Sequence, residues 1–231
     1  MYMRDRRAFD LKWLMVAYNL FQVIFSSLLF YGALSAGWWP YLGGDGVGKK
    51  ASYSFVCQPV DYTYSPRAIL MSRVSYWFYV GKFIEFFDTF FFVLRKKFGQ
   101  VSFLHVFHHA IMPLYMWPSV RYMPGGHGTF AGLLNSFVHI FMYAYYLLSA
   151  LGLRKLLFWK QGLTVMQMVQ FVLALVHSAQ LLVVSSCGYP VEYAYFNIGL
   201  MLIFLGLFGH FYVNEYLEKK EKNVVKKIKM R

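Results

Sequence analysis

Long apolar segments alternate with short polar connections along nearly the whole chain. Stretches of about 20 residues, the length that a helix needs to cross a hydrocarbon core, lie at 13–36, 68–94, 101–120, 130–151, 163–185 and 193–216. The composition is 58% hydrophobic and 21% aromatic with a mean hydropathy of +0.43, which is more apolar than a usual globular protein. The pattern predicts an all-α fold: a polytopic transmembrane bundle of six helices, forming a single integral-membrane domain over 1–216.

Basic residues are concentrated in alternate connections. Lysine and arginine gather at 4–12, 95–97, 154–160 and 217–231, whereas 37–66, 120–129 and 186–192 carry fewer. Short loops rich in lysine and arginine stay in the cytosol, so both ends are predicted to be cytosolic. The net charge of +13 therefore marks one side of the membrane. It does not indicate nucleic-acid binding, because no nucleic-acid-binding motif surrounds it.

Two further features bear on the compartment. Cys57 and Cys187 fall in loops predicted to share the lumenal side, where an oxidising environment favours a disulfide, although two cysteines can also share a side by chance. The basic tail 217–231 carries Lys227 and Lys229 in the pattern of a cytosolic dilysine retrieval signal, which indicates the endoplasmic reticulum membrane. A lysine-rich tail can alternatively bind anionic lipid headgroups.

Three histidines stand in an HxxHH pattern inside the third apolar segment. On a helix, His105, His108 and His109 fall within an arc of about 100° and point the same way. Polar rings at membrane depth need partners and usually mark a functional site, whereas the alternative is a set of hydrogen-bonded core histidines. Neutral imidazole is a competent nucleophile at neutral pH, which makes His108 the candidate acceptor of a transferred group.

Charged residues also interrupt the second segment. Lys82, Glu85, Asp88 and Thr89 lie within an arc of about 120° on a helix and are predicted to face the bundle interior. Lys82 and Glu85 are three residues apart, so they could form a purely structural ion pair. Asp88 lacks such a neighbour in sequence and is the better functional candidate of the two acids.

Polar stripes on later segments converge on the same interior cavity, and basic residues surround its predicted cytosolic mouth. The stripes comprise Asn135, His139, Met142, Tyr145 and Tyr146 on the fourth segment and Thr164, Gln167 and Gln170 on the fifth. Arg95, Lys97 and Lys160 could bind the phosphates of a polyanionic substrate, or serve only as topology signals.

Four motifs, in their order along the chain, resemble those of the ELO family of very-long-chain fatty acid elongases. They are Lys82-x-x-Glu85-x-x-Asp88-Thr89, His105-x-x-His108-His109, Asn135-x-x-x-His139-x-x-Met142-Tyr143-x-Tyr145-Tyr146 and Thr164-x-x-Gln167-x-x-Gln170. The resemblance covers nearly the whole chain. The local sequence 103–113 is most similar to the branch that elongates saturated and monounsaturated chains.

The resemblance implies a decarboxylative condensation of a long-chain acyl-CoA with malonyl-CoA to 3-oxoacyl-CoA, carbon dioxide and CoA at the endoplasmic reticulum. Both CoA thioesters are substrates, and no metal or other cofactor is implied. The implied fold is a ring of helices around an acyl tunnel closed on the lumenal side. Family members usually have seven transmembrane helices, the first preceding a basic segment matched here by 4–12, so this sequence is expected to lack that first helix.

The resemblance also implies residue roles. His108 would accept the acyl group, His139 would orient it or stabilise the enolate, and His105 and His109 would donate to an oxyanion or fix a tautomer; these histidine roles remain exchangeable. Asp88 and Asn135 would orient the histidines. The remaining motif and mouth residues would contact substrate, with CoA held at the cytosolic mouth: Lys82, Glu85, Arg95, Lys97, Tyr145, Lys160, Thr164, Gln167 and Gln170.

Two other function classes share features with this sequence. A membrane di-iron desaturase or hydroxylase also carries HxxHH boxes but needs about eight histidines, whereas this chain has seven and no second HxxHH. A proton-coupled transporter would show inverted repeats and broken helix pairs, which the sequence lacks. The lipid bilayer, other enzymes of the elongation cycle and a second copy of the chain are further candidate partners.

Overall fold

The computed structural model describes residues 3, 5–39, 53–184, 186–218 and 220. Within these residues the chain forms seven α-helices: α1 Lys12–Ala33, α2 Pro66–Ile84, α3 Phe86–Leu94, α4 Phe103–Tyr122, α5 Thr129–Leu151, α6 Lys160–Ala179 and α7 Val191–Tyr212. Segments of π-helix extend α1 over Leu34–Trp38 and α7 over Val213–Glu218. The all-helical prediction is confirmed.

Local sequence signals set several helix boundaries. At the start of α2, the Ser65 side chain accepts a hydrogen bond from the Ala68 amide, and Pro66 occupies the first helical position. Ser102 caps α4 in the same way by accepting from the His105 amide at 3.2 Å. Gly152 ends α5 in the left-handed conformation (φ 83°), which glycine adopts without steric cost.

The predicted segment 68–94 is divided at Glu85, which separates α2 from α3. The number of helices therefore differs from the predicted six, although α2 and α3 follow each other directly as one interrupted segment. The Asp88 amide donates to the Glu85 carbonyl across the break at 3.1 Å. The interruption lies among the charged residues of the second segment, and it places the Glu85 carboxylate at the junction of the two helices.

The helices form a ring around an interior space. α1 packs on α2 and α5, α5 on α6, α6 on α7, and α2 on α4. The ring closes between α4 and α7 through side chains, because the Tyr115 hydroxyl donates to Asn197 Oδ1 at 2.9 Å and Phe107 packs against Phe204. This arrangement leaves the polar stripes of the helices facing one another.

The two ends of the bundle differ. The end that carries 95–97 and 155–160 is called the basic end here. At the opposite end, called the disulfide end, Cys57 and Cys187 are bonded with their Cα atoms 5.4 Å apart, which ties the connection before α2 to the one before α7. The proposed retrieval signal at Lys227 and Lys229 lies outside the described residues.

Four described segments are long and apolar enough to cross a membrane: Lys12–Trp38, Thr129–Leu151, Lys160–Leu182 and Val191–Glu218. The chain is therefore a polytopic helical membrane protein. Membrane crossing by the other two predicted segments, 68–94 and 101–120, stays a prediction. The first of these segments is divided into α2 and α3, and the two segments carry the charged residues and histidines of the site.

Candidate active site

The histidine cluster occupies the first turns of α4. Because Ser102 caps the helix, His105 lies in its first turn and His109 one turn later, with ring centroids 4.3 Å apart. The His108 ring lies 5.2 Å from the His109 ring and 5.2 Å from the Phe204 ring. The three rings thus share one face, as their spacing predicts.

His105 is held from α3. Its Nε2 atom lies 2.8 Å from Thr89 Oγ1, so hydroxyl and imidazole form a hydrogen bond. Neither ring nitrogen of His108, by contrast, has a hydrogen-bond partner among the described residues. His109 Nδ1 is likewise buried without a hydrogen-bond partner, so His108 is distinguished from His109 by lining the apolar as well as the polar side of the interior space.

A second cluster of buried groups surrounds Glu85. Its Oε1 atom accepts from Lys82 Nζ at 2.7 Å and lies 3.2 Å from His139 Nδ1. Lys82 Nζ also donates to Asn135 Oδ1 at 3.0 Å. These contacts connect α2 to α5 through four polar side chains, all at most 9% exposed.

The charges in this second cluster compensate each other. An isolated ammonium or carboxylate inside a membrane bundle is costly, and close pairing with additional hydrogen bonds offsets that cost. Lys82 is only 2% exposed, so its pairing with Glu85 is a structural necessity. Glu85 also fixes the His139 ring, because a proton on Nδ1 facing the carboxylate leaves Nε2 without a hydrogen.

Asp88 has a separate environment. Its Oδ2 atom accepts from the Tyr143 hydroxyl at 2.9 Å, and the Tyr143 ring packs edge-on against Tyr18 of α1 at 6.1 Å. Sequence reasoning did not select Tyr18, although Asn19, Gln22 and Ser26 form a buried polar stripe on the same helix. Asp88 thus joins α3 to α5 and lines the interior cavity.

The interior space contains two adjoining cavities that share part of their walls. The one toward the basic end, called the polar cavity here, is lined by every predicted site residue except Lys82, Arg95 and Lys97. The other, called the apolar cavity, extends toward the disulfide end between residues such as Met112, Phe78, Leu133 and Met201. Four residues line both cavities: His108, Asn135, Gln170 and Phe171.

The apolar cavity follows α4 for a considerable distance. His108, Met112, Tyr115, Met116 and Ser119 all line it, and the 11 steps along the helix from the first to the last correspond to about 16 Å at 1.5 Å per residue. At its far end Tyr193 donates from its hydroxyl to the Tyr115 carbonyl at 3.2 Å. The cavity therefore has a wall suited to an extended alkyl chain.

The predicted mouth residues occupy different positions. Lys160 lines the polar cavity and donates to Glu215 Oε1 at 3.0 Å, with Tyr145, Thr164 and Gln167 nearby on the cavity wall. Arg95 lines an adjoining cleft at the basic end that also includes Lys160. Lys97 is exposed and lines neither of these spaces.

Lys82 and Glu85, which were predicted to contact substrate, have buried protein partners in this structure. Lys82 lies between Glu85 and Asn135 and lines neither the polar nor the apolar cavity, because the buried carboxylate holds its ammonium inside the helix packing. Glu85 lines the polar cavity but is engaged by Lys82 and His139. Both residues contact the proposed catalytic side chains in the structure.

Aromatic walls of the site escaped the sequence reasoning. Phe171, Phe204 and Phe208 pack on one another, and Phe204 is fully buried beside His108. Nearly every position of α7 is apolar, so the sequence offered no contrast from which its inward face could be read. In the described part of the chain, no group of three or more His, Cys, Asp or Glu side chains could hold a metal ion.

Comparison with known proteins supplies the family. Residues 1–224 match the ELO: GNS1/SUR4 family. The chain is 50% identical over 223 residues to very long chain fatty acid elongase 7 of Drosophila melanogaster, covering 96% of this chain and 64% of that protein. It is 47% identical over 218 residues to very long chain fatty acid elongase 7 of Rattus norvegicus, covering 93% of this chain and 73% of the relative.

Very long chain fatty acid elongase 1 of Homo sapiens is 41% identical over 221 residues, which cover 94% of this chain and 75% of the human protein. This chain thus spans somewhat less than two thirds of the fruit-fly relative and about three quarters of the mammalian ones. The desaturase and transporter alternatives are not favoured by these matches. With a family match that extends over nearly its whole length and the four motifs gathered around one interior cavity, the chain belongs to the ELO: GNS1/SUR4 family.

Proposed function

We propose that this protein is a very-long-chain 3-oxoacyl-CoA synthase, which condenses a long-chain acyl-CoA with malonyl-CoA. The observation that carries the proposal is the position of His108 at the boundary of two unlike cavities. An alkyl chain would occupy the apolar cavity, and a polar CoA group would occupy the polar cavity. The thioester between them would then lie beside His108.

In the first half-reaction a ring nitrogen of His108 attacks the thioester carbonyl carbon. The carbon–sulfur bond breaks, CoA leaves as a thiolate that takes up a proton, and the acyl group remains on the imidazole nitrogen. Neutral imidazole does this without prior deprotonation. Phe204 and Phe171 exclude water from the acyl-imidazole, which protects the acyl group from hydrolysis.

In the second half-reaction malonyl-CoA enters the polar cavity. Its terminal carbon–carbon bond breaks, carbon dioxide leaves, and the electron pair forms the enolate of acetyl-CoA. The enolate carbon attacks the acyl carbonyl, and the bond to His108 breaks to give 3-oxoacyl-CoA. His139 would stabilise the enolate oxygen by donating from Nε2 in its doubly protonated form, with Glu85 beside Nδ1 compensating the charge of the ring, or as the neutral ring it would position the malonyl group.

Location and substrate contacts belong to the same proposal. The basic end would face the cytosol, with Lys160, Arg95 and Lys97 near the CoA phosphates, and the disulfide end would face the lumen of the endoplasmic reticulum. Tyr145, Thr164, Gln167 and Gln170 would contact the substrate within the polar cavity. Other enzymes of the elongation cycle and a second copy of the chain are proposed partners.

The test is an assay of the purified protein in lipid nanodiscs with radiolabelled malonyl-CoA and a panel of saturated and monounsaturated acyl-CoAs. We expect label in a lipid two carbons longer than the acyl donor, together with release of carbon dioxide. Separately, acyl-CoA alone should release close to one CoA per protein as His108 is acylated.

Two results would contradict parts of this proposal. Absence of labelled lipid with every acyl-CoA, from protein that remains folded and monodisperse, would exclude condensing activity for this chain. Labelled lipid without any CoA release from acyl-CoA alone would retain the condensation but replace the acyl-imidazole by a ternary complex in which His108 acts as a base.

A further inference from the structure

We propose that the Asn135 side-chain amide donates a hydrogen bond to the acyl carbonyl oxygen during transfer to His108, and that Lys82 sets the direction in which the amide points. Asn135 is then a catalytic residue and Lys82 a positioning residue. This inference rests on the proposed function and adds to it the group that stabilises the oxyanion.

The orientation of the amide follows from the chemistry of its partner. An ammonium group donates hydrogen bonds and cannot accept them, so the Asn135 atom 3.0 Å from Lys82 Nζ must be the carbonyl oxygen Oδ1. The NH2 group consequently points away from Lys82. Among the described residues no acceptor lies within hydrogen-bonding distance of Asn135 Nδ2, so its two hydrogens are available.

The Nδ2 hydrogens of Asn135 lie near the place where the acyl carbonyl oxygen would become negative during the reaction. Asn135 lines both the polar and the apolar cavity, as does His108, and no other predicted catalytic residue does so. Asn135 is 9% exposed and is located one helical turn before His139 on α5. A thioester at the boundary of the cavities would therefore have His108 and the Asn135 amide beside the same carbonyl group.

The buried ammonium also strengthens this donor. When His108 attacks, the carbonyl oxygen becomes negative, and a fixed donor in a site of low dielectric stabilises that charge without reorganising. The hydrogen bond from Lys82 withdraws electron density from the amide carbonyl, which makes the Nδ2 hydrogens more positive. The positive charge of Lys82 is in turn compensated by the Glu85 carboxylate, whose Oε1 atom lies 2.7 Å from Nζ.

A simpler role for Asn135 is to serve only as a hydrogen-bond acceptor for buried Lys82. Asn135→Asp separates the two roles, because aspartate has the same shape and keeps the acceptor oxygen for Lys82 but puts a negatively charged oxygen where the NH2 group would donate to the oxyanion. If Asn135 is only an acceptor, N135D should keep most of the activity. If Asn135 is the oxyanion donor, N135D should lose it.

The measurement is the rate of CoA release from acyl-CoA alone in a single turnover, followed by the kcat and KM of condensation. We expect N135D to slow the release by about 100- to 1,000-fold, as for removal of one oxyanion-hole donor, with the KM for acyl-CoA changed less than fivefold. Asn214→Asp, the same change at an exposed position after α7, is the matched control and should release CoA at the wild-type rate.

Asn135→Ala and Lys82→Met complete the experiment. Both are expected to slow CoA release, but Lys82→Met added to Asn135→Ala should slow it little further, because Lys82 acts on this step through the amide. Thermal unfolding and acyl-CoA binding measured on each variant identify loss of folding. If N135D unfolds, the rate of CoA release is measured on N135A instead, provided that N135A binds acyl-CoA normally.

Three results are distinguishable. Wild-type protein without CoA release or labelled product contradicts the proposed function itself. Active wild-type protein with N135D or a folded N135A releasing CoA within fivefold of the wild-type rate overturns the role of Asn135. Additive effects of Lys82→Met and Asn135→Ala overturn the positioning role of Lys82 alone.

Discussion

The polar and the apolar cavity are enclosed by the same ring of helices but are built from opposite chemistry. In the polar cavity, carboxylates, imidazoles and hydroxyls hold one another through hydrogen bonds such as Asp88 to Tyr143 and Thr89 to His105. In the apolar cavity methionine, phenylalanine and small side chains form much of the wall, and polar side chains between them hydrogen-bond to one another or to the backbone, as Tyr115 does with Asn197 and Ser136 with the Gly132 carbonyl.

The difference teaches how one helix bundle can bind an amphipathic molecule. Helices α4 and α5 contribute to both cavities and change character along their length, with histidines or tyrosines toward the basic end and methionine, glycine or leucine toward the disulfide end. An acyl thioester changes character along its length in the same way. The reacting bond would lie at the change, which is where His108 and Asn135 are found.

The largest expected effect comes from removing the proposed nucleophile at this boundary. His108→Ala should abolish CoA release from acyl-CoA alone and reduce condensation by at least about 1,000-fold, since covalent transfer to the ring is no longer available. Single-turnover CoA release and labelled product formation are the measurements. His210→Ala, near the end of α7 and outside both cavities, is the matched control and should remain active.

The polar half should also be sensitive to loss of a buried charge. Glu85→Gln leaves the Lys82 ammonium without its carboxylate and should destabilise the protein by about 3–5 kcal/mol, read from the unfolding of detergent-solubilised protein. Glu215→Gln removes the partner of half-exposed Lys160 and should cost about 0–1 kcal/mol. Equal effects of the two changes would contradict the structural role assigned to the buried pair.

The apolar half should control which acyl chains fit. Gly132 lines the apolar cavity, and a Cβ there would meet Phe78 only at 3.9 Å, so a larger side chain would extend into the cavity without a backbone clash. We expect Gly132→Leu to lower kcat/KM for the longest accepted acyl-CoA at least tenfold more than for the shortest. Exposed Gly199→Leu on α7 is the control. An unchanged chain-length profile would exclude the apolar cavity as the acyl site.

The smallest effect is expected at the mouth of the polar cavity. Lys160→Ala should raise the KM for both CoA substrates several-fold and leave kcat nearly unchanged, because a contact to a phosphate persists through the reaction. Lys155→Ala, at the same end but outside the cavity walls, should leave KM unchanged. If Lys160→Ala and Lys155→Ala raise KM equally, the basic residues contribute only a general positive field. In that case the two variants should also have equal KM values at low salt.

Much of the site could be predicted because its residues conflict with their surroundings. His105, His108 and Asp88 interrupt segments that are otherwise apolar, and the cost of burying polar groups requires them to meet inside the bundle. The family resemblance assigned Lys82 to substrate contact, but the burial of its side chain depends on the break between α2 and α3 at Glu85 and on the approach of Asn135 from α5. Phe204 was missed because apolar positions of a membrane helix look alike from sequence, whereas Tyr18 was missed although buried polar residues follow it on α1.

The sequence by itself determined the helical class, the alternation of basic and weakly basic connections, and the residues that had to be buried, since these follow from hydropathy and spacing along one chain. Only the tertiary structure decided which polar groups pair, that the two cysteines join, and where the polar cavity gives way to the apolar one. Those features depend on the side-by-side order and the relative heights of the helices. The order and the heights of the helices are set by contacts between residues as distant in the chain as Lys82 and Asn135. A local sequence pattern contains no information about such contacts.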